Sequence, residues 1–419
     1  MTEAHSLLDE LAWRGLLSQN TEGLDEAFAK GTVSAYCGFD PTASSMHVGN
    51  LIPVMGLMHL QRAGHRPFIV VGGGTGMIGD PSGKTAERQL NTPEVVAANT
   101  RALRGQLEKF LDFTGANAAQ MRDNADWLAP LGAIDFMRDV GKHFTINYMM
   151  QKDSVQSRLE SGMSYTEFSY MLLQAYDFRE LFRRDGVTLQ VGGSDQWGNI
   201  TAGLELIRRT EGGDAHAMTF PLVTNSSGTK FGKTESGSVW LDPGKTSPYK
   251  FYQFWINIED GDAGRYLRYF TLHSREEIES FERDVAERPQ DRAAQQALAR
   301  EVTTRVHGSE QAKVAEEVSK ILFAKGDPSQ LSSDALKALS EEVPFATMTT
   351  FTSVVDALVE LKLAASKGAA RRLVEQGGVS VNGAKVTDLA TPVGEPLVGE
   401  YYLVKKGARD FGLIRTSGS

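Results

Sequence analysis

Apolar and polar positions along this chain switch between two periods, and the switches outline its elements. Val33-Ser-Ala-Tyr-Cys-Gly-Phe39 is a short β-prone run that stops at Asp40-Pro41, a turn signal. From His47 to Arg62 the apolar positions Leu51, Val54, Met55, Met58 and Leu60 recur at helical spacing. Pro53 falls in the first turns, where proline is better tolerated. Pro67 to Val71 is an unbroken apolar run, the pattern of a strand buried on both faces. Strand, turn, helix, strand makes a βαβ unit, and that unit implies a parallel sheet. A further strand, Val187 to Val191, runs into Gly192-Gly193-Ser194-Asp195, and helical material resumes from Asn199 to Arg209. Near the start, Leu7, Leu8, Leu11 and Leu16 suit one face of a helix.

The pattern changes near residue 245. Ser247-Pro248 is an N-cap and first-turn pair, and the sequence from there to Ala324 is charged and helix-prone. Turns are expected at Asp260-Gly261-Asp262 and at Arg288-Pro289. Asp327-Pro328, Ser329, Ser332, Ser333 and Pro344 mark a connector around one short helix, Asp334 to Leu339. The last segment reads as two helices followed by short strands with an Asn382-Gly383 hairpin turn. The expected architecture is therefore α/β. A Rossmann-like parallel-sheet domain spans 1–246, with a short insertion at about 123–163. An all-α domain spans 247–325, a linker 326–350, and a small α+β domain 351–419.

Composition narrows the class. The chain has 419 residues, of which 41% are apolar and 23% charged, enough to build large cores without a staple. The single cysteine, Cys37, excludes a disulfide framework within the chain and fits a reducing compartment. Met1 to Asn20 carries Glu3, Asp9 and Glu10 and lacks a basic stretch before an apolar run, so it does not read as a secretory signal. No apolar stretch approaches the ~20 residues of a membrane span. The expected location is the cytoplasm, with no membrane contact. Net charge is −9, which argues against a purely electrostatic nucleic-acid binder. The charge is uneven: residues 351–419 carry +2 and the preceding 350 carry −11, a weak hint of a distinct task for the tail.

Two glycine-rich matches mislead. Gly74-x-Gly76-x-x-Gly79 follows a predicted strand, as a dinucleotide fingerprint should, but Asp80-Pro81-Ser82-Gly83 breaks the helix it should open. It also sets an acid where a pyrophosphate would sit. Gly79-Asp-Pro-Ser-Gly83-Lys84-Thr85 resembles a phosphate-binding P-loop with one residue too few between its glycines. What remains is a turn that brings backbone close to a ligand, with Asp80 able to face a cation.

The informative segment is Asp40 to Asn50. A strand delivers it and a helix leaves it, so His47 and Asn50 fall on a first helical turn, where free N–H groups favour anions. Thr42 and His47 add donors, and Gly49 lets a flat ring approach the backbone. A second segment, Lys230-Phe231-Gly232-Lys233-Thr234, lies between Ser226-Ser-Gly228 and Glu235-Ser-Gly237. Its composition is that of a mobile loop with two ammonium groups, suited to a polyphosphate as charge builds. Together the two segments resemble the HIGH and KMSKS signatures of class I aminoacyl-tRNA synthetases, here His47-Val48-Gly49-Asn50 and Lys230-Phe-Gly-Lys-Thr234. Tyr36-Cys-Gly-Phe-Asp40-Pro-Thr, Gly79-Asp-Pro-Ser-Gly, Tyr170-Met-Leu-Leu-Gln174-Ala-Tyr-Asp177 and Gly192-Gly-Ser-Asp-Gln-Trp-Gly-Asn199 narrow the resemblance to the bacterial tyrosyl-tRNA synthetases. Gly368 to Gly383 resembles an S4-type RNA-binding module.

That resemblance implies a two-step reaction. Tyrosine carboxylate attacks the α-phosphate of ATP, and the tyrosyl group then passes to the terminal adenosine of tRNA(Tyr). Such chemistry needs positioned positive charge rather than a protein nucleophile. By resemblance, Tyr36 and Asp177 hydrogen-bond the substrate phenol. Asp80, Tyr170 and Gln174 hold the α-ammonium. Gly193, Asp195 and Gln196 contact the ribose and the reacting carboxylate. Thr42 and His47 bind the γ-phosphate side. Asp40, Gly49 and Asn50 lie along the nucleotide, and many relatives carry His where Asn50 sits. Lys230, Lys233 and Thr234 clamp the pyrophosphate. Lys84 and Arg88 meet the same phosphates or the acceptor stem, or else form a solvated face. Lys367, Arg371, Arg372, Lys405, Lys406 and Arg409 of the tail meet tRNA, and the helical domain carries part of the anticodon interaction. ATP enters as a substrate with Mg²⁺, and no tightly bound protein-ligated metal is implied. Relatives are homodimers; the apolar runs near Phe136 and Phe144 fit an interface or an ordinary core. Three alternatives stay open: a tryptophan-type class I synthetase, an RNA-binding relative without catalysis, and a nicotinamide oxidoreductase.

Overall fold

The computed structural model describes residues 6–82, 91–158, 162–224, 231–234, 237–323, 326–390, 393–407 and 410–417. Two compact units make up the chain. The first holds 1–246 and 258–298, the second 247–257 and 299–419.

The first unit is built on a six-stranded sheet: β1 Gln19–Asn20, β2 Ser34–Phe39, β3 Arg66–Val71, β4 Gln120–Asp123, β5 Leu189–Gly193 and β6 His216–Phe220. Across the sheet the order is β1-β6-β5-β2-β3-β4. All neighbours are parallel except the β1–β6 edge pair. The order runs outward from β2 in one direction to β3 and β4, and from β5 in the other to β6. The reversal between β2 and β5 is a topological switch point, and in such sheets ligands bind beyond the carboxyl ends of the strands there. Strand β3 is buried along Pro67–Val71, as its unbroken apolar run requires. The helices Leu51–Arg62, Tyr165–Asp185 and Trp197–Thr210 cover the sheet. Tyr36, Phe68 and Val70 pack with Trp127, Phe178, Leu181, Val187 and Ile207. The insertion packs its own apolar residues, Val140, Phe144, Met149 and Val155, onto Met171, Leu172, Ala175, Ala202 and Leu206.

The tail forms a five-stranded sheet in the order β11-β10-β12-β13-β9, made of β9 Phe345–Met348, β10 Val379–Val381, β11 Ala384–Val386, β12 Tyr401–Lys406 and β13 Asp410–Thr416. Two short strands, β7 Lys233–Thr234 and β8 Gly237–Ser238, pair separately in the first unit. Along β12, Tyr402 and Val404 face the helices Val354–Glu360 and Lys367–Glu375, while Tyr401 and Leu403 face Ser309–Phe323 and Ser333–Ser340. That alternation buries both sides of one sheet.

Three sequence expectations need correction. Residues 326–350 are not merely a linker: β9 joins the tail sheet beside β13, and the Leu413 N–H donates to the Pro344 carbonyl at 2.9 Å. Backbone pairing captures this short segment despite its connector-like prolines and serines. The helical stretch is not one separate domain, because Ser309–Phe323 supplies a face of the tail core and belongs to the second unit. Asp260-Gly261-Asp262 is not a turn but the start of the helix Asp260–Phe270, where acidic residues suit the N-terminal dipole.

Candidate active site

Four of the parallel strands, β2 to β5, contribute to one polar cluster at their carboxyl ends. Asp40 follows β2, Gly72 to Thr75 follow β3, Asp123 and Asn124 end β4, and Gly193 to Gln196 follow β5. The helix Tyr165–Asp185 brings Tyr170, Gln174 and Asp177 across them. Its successive sites are three or four residues apart and so share one face.

At one end Asp177 is buried, with 4% of its surface exposed. Trp127 Nε1 donates to its Oδ1 at 2.7 Å and Asn124 Nδ2 to its Oδ2 at 2.9 Å. Burial pushes its pKa up to about 7, against those two hydrogen bonds, with the nearby Asp40 and Asp123 charges adding to the rise. Beside it the Tyr36 hydroxyl is fully buried and has no hydrogen-bond partner among the described residues. Burial and the Asp177 charge raise the Tyr36 pKa well above the usual phenol range.

A relay leads away from Asp177. Asn124 Nδ2 also donates to Thr75 Oγ1 at 2.9 Å, and Thr75 Oγ1 donates to Asp40 Oδ1 at 2.7 Å. The Tyr170 hydroxyl donates to Asp40 Oδ2 at 2.9 Å, so Tyr170 ties the expected amino-acid side to the expected nucleotide side. A second knot surrounds Asp80. Gln196 Nε2 donates to Asp80 Oδ2 at 2.6 Å, and Asn199 Nδ2 donates to Gln174 Oε1 at 3.1 Å and to Gln196 Oε1 at 3.2 Å. Asp80, Gln174 and Gln196, far apart in sequence, thus meet. Asp195 stands in the short turn Ser194–Gln196. A Cβ at Gly193 would lie 2.6 Å from Asp195 Oδ1, so a side chain there would push the Asp195 carboxylate out of its present position.

The phosphate-side segment is tightly folded. His47 Nδ1 accepts the Gly49 N–H at 3.1 Å, which makes Nε2 the donor nitrogen of the neutral ring. The His47 N–H donates to Asn50 Oδ1 at 3.0 Å, closing a reciprocal cap on the turn Val48–Asn50. A Cβ at Gly49 would meet His47 Cε1 at 2.9 Å. The second signature lies against the first: the Val48 N–H donates to the Val239 carbonyl, and the Val239 N–H to the Gly232 carbonyl, both at 3.0 Å. Phe231 stacks on Phe270 with ring centroids 5.1 Å apart and meets Tyr266 edge-on. Lys233 and Thr234 are placed as strand β7, whereas Lys84, Arg88, Lys230 and Arg409 lie outside the described residues.

In the tail the expected basic residues do not form one patch. Lys367 pairs with Asp356 at 2.7 Å and shares the exposed helix Lys367–Glu375 with Arg371 and Arg372. Lys406 Nζ donates to the Leu363 carbonyl at 3.0 Å on that side of the sheet. Lys405 points to the other face, 4.9 Å over the Phe411 ring. Neighbours on a strand face opposite ways, so Lys405 and Lys406 cannot act together.

Protein-family comparison joins the two units to one lineage. Residues 29–324 match the model for tRNA synthetases class I (W and Y), and residues 335–414 match the tyrosine–tRNA ligase SYY-like C-terminal domain. The chain belongs to the tyrosine–tRNA ligase family. It is 54% identical to the tyrosine–tRNA ligase of Streptomyces griseus, covering 97% of this chain and 98% of that one. The ligase of Anaeromyxobacter dehalogenans is 52% identical, over 98% of this chain and 99% of the relative. Among solved structures, a C-terminally truncated mitochondrial tyrosyl-tRNA synthetase of Aspergillus nidulans superposes with a TM-score of 0.70 at 30% identity, covering 77% of this chain and 95% of that one. A tryptophanyl-tRNA synthetase of Encephalitozoon cuniculi shares the fold at 14% identity, with a TM-score of 0.53 over 78% of this chain and 89% of that one.

Within this ligase family fold, sequence reasoning missed Thr75, Asn124, Trp127 and Asn199 as polar members of the cluster. Asn124 and Trp127 hang on β4, whose Gln-Met-Arg-Asp sequence has no strand pattern. Placement beyond the carboxyl end of a parallel strand was the usable signal, and it needed β4 to be known. Asn199 lies three residues after Gln196, the spacing that puts both on one face of a helical turn.

Proposed function

We propose that this chain activates L-tyrosine with ATP and transfers it to tRNA(Tyr). The observation that carries the reading is the buried, unpartnered Tyr36 hydroxyl beside Asp177 at the switch point. An uncompensated buried hydroxyl is costly unless a ligand completes it. A phenol O–H fits: it donates to Asp177 and accepts from Tyr36, whereas a phenylalanine ring leaves both unsatisfied. An indole N–H can donate to Asp177 but has no lone pair to accept from the Tyr36 hydroxyl, so a tryptophan-type synthetase is the weaker reading.

With the ring held there, the α-ammonium falls to Asp80, Gln174 and the Tyr170 hydroxyl, and Gln196 meets the carboxylate. One carboxylate oxygen forms the bond to the α-phosphorus while the bond to the bridging oxygen of pyrophosphate breaks, and the leaving group takes the electron pair. Thr42 and His47 Nε2 donate to the γ-phosphate side as charge moves outward, and Lys230, Lys233 and Thr234 hold the departing pyrophosphate. Asp40, Gly49, Asn50, Gly193 and Asp195 line the nucleotide. The Asn50 amide, its Oδ1 taken by His47, has Nδ2 for a donor. Mg²⁺ would enter with the ATP substrate, bound to its phosphates. In the second step the terminal ribose hydroxyl of tRNA attacks the tyrosyl carbonyl and adenylate leaves. Lys84, Arg88, Lys367, Arg371, Arg372, Lys405 and Lys406 meet tRNA phosphates, in separate groups rather than one patch. The active form is a homodimer in the cytoplasm; among the described residues no helix is long and apolar enough to cross a membrane.

ATP–pyrophosphate exchange with each of the twenty amino acids tests this. Exchange with tyrosine alone is expected. Exchange with tryptophan overturns the pocket assignment, and no exchange from folded protein favours an RNA-binding relative without catalysis.

A further inference from the structure

The segment 40–46 has no regular secondary structure, yet it carries Thr42 and delivers His47 to the turn that follows. Its buried backbone groups must still find partners. One helix, Pro93–Leu107, supplies them at both ends. Asn99 Nδ2 donates to the Pro41 carbonyl at 3.0 Å, one residue before Thr42. Two turns further along the same helix face, Gln106 grips the residues just before His47. Its Oε1 accepts the Met46 N–H at 2.8 Å and its Nε2 donates to Ser45 Oγ at 3.0 Å. The Ser45 hydroxyl donates to the Met46 carbonyl at 2.7 Å and accepts the Asp242 N–H at 3.1 Å. Ser45, Met46 and Asn99 are all buried.

We infer that Gln106 and Asn99 are positioning residues for pyrophosphate departure, acting through His47 and Thr42. This rests on the assignment of those two residues to the γ-phosphate of ATP. Neither amide touches a reacting atom. An amide suits the task because it accepts and donates at once, so one side chain fixes two successive loop residues. A donor misplaced by a fraction of an ångström loses most of its value in a transition state, where catalysis depends on preorganised geometry. The clamp therefore serves kcat: it holds the loop after Asp40, whereas the phenol-reading pair stands on β2 itself and on the helix Tyr165–Asp185.

The test is pyrophosphate exchange with the full chain for His47→Ala, Gln106→Ala, Gln106→Glu and the double variant His47→Ala/Gln106→Ala, with thermal melts alongside. His47→Ala is expected to lower kcat about 10²-fold, as removal of a transition-state donor does. Gln106→Ala is expected to lower kcat about tenfold with the KM for tyrosine unchanged, and Gln106→Glu, which keeps the acceptor for Met46, to recover part of it. The double variant should lose no more than His47→Ala alone, because a residue that acts through another has nothing left to position. A double variant whose loss is the product of the two single losses overturns the inference, as does wild-type kcat for Gln106→Ala. Unchanged kcat in His47→Ala sinks the γ-phosphate assignment itself, and the inference with it. Should Gln106→Ala unfold, the cycle of Asn99→Ala with Thr42→Ala decides by the same criterion.

Discussion

Tyr36 and Asp177 put opposite demands on the folded state and on the substrate. The Tyr36 hydroxyl has lost water and gained no partner among the described residues, so Tyr36→Phe should hold or raise the free energy of unfolding, by up to about 1 kcal/mol, in thermal melts. The same change should cut the preference for tyrosine over phenylalanine in pyrophosphate exchange by about tenfold or more, since one half of the phenol-reading pair is gone. A fall in stability with unchanged discrimination would show that the hydroxyl serves the core. Asp177 adds a pH signature. Its folded-state pKa of about 7 lies above the ordinary carboxylate range, so the native state holds a proton that the unfolded chain releases. This group's contribution to stability therefore falls as pH rises from that range through 7. Phenol binding runs the other way, because the ionised carboxylate is the better acceptor. The kcat/KM for tyrosine should rise with pH through an apparent pKa near 7, and that rise should vanish in Asp177→Asn. The pair itself was legible, since both residues sit in motifs that carry the family resemblance. Their partners Asn124 and Trp127 were not, because hydrogen bonds across 53 and 50 residues leave no periodic trace.

Two turns of the tail sheet show how local chemistry is followed and broken. Asn382 and Gly383 both take left-handed backbone, φ +48° and +85°, as an Asn-Gly hairpin turn demands. Asn382 also earns its place with its side chain: Oδ1 accepts the Leu403 N–H at 2.8 Å and Nδ2 donates to the Glu395 carbonyl at 2.9 Å. Val398 adopts the same left-handed region, φ +48°, between Leu397 and Gly399. A β-branched residue there costs about 1–2 kcal/mol, and Val398 is exposed, so no packing offsets it. Replacing Val398 by Gly or Asn should raise the stability of the second unit by about 1 kcal/mol in chemical denaturation. The contrast also explains what sequence reveals about elements. Asn-Gly announces a turn; Leu-Val-Gly does not. Strand β3 was readable from its unbroken apolar run and β2 from its β-prone run ending at a turn signal, whereas β9 and β4 exist through pairing with neighbours, and their own residues do not insist on extension.

For the molecule as a whole, the insertion after β4 carries both core residues and exposed apolar ones. Phe144 is buried within the first unit's own packing. The neighbouring Ile134 and Met137, one turn apart on the helix Ala133–Asp139, are 75% and 55% exposed, and Ile146 and Tyr165 are also exposed. Apolar side chains so placed fit the homodimer proposed above. Ile134→Asp with Met137→Asp should turn a dimer into a monomer in sedimentation, with little change in the melting of the first unit. A monomer before mutation would refute the assignment. The polar cluster spans the same unit in a further sense. Its Tyr170–Asp40 and Gln196–Asp80 bonds join residues 130 and 116 positions apart. Contacts of that range form late, after the loops between them have closed. On dilution from denaturant, helical circular dichroism should return first and adenylate formation last, so regained activity reports the final step of folding rather than the first.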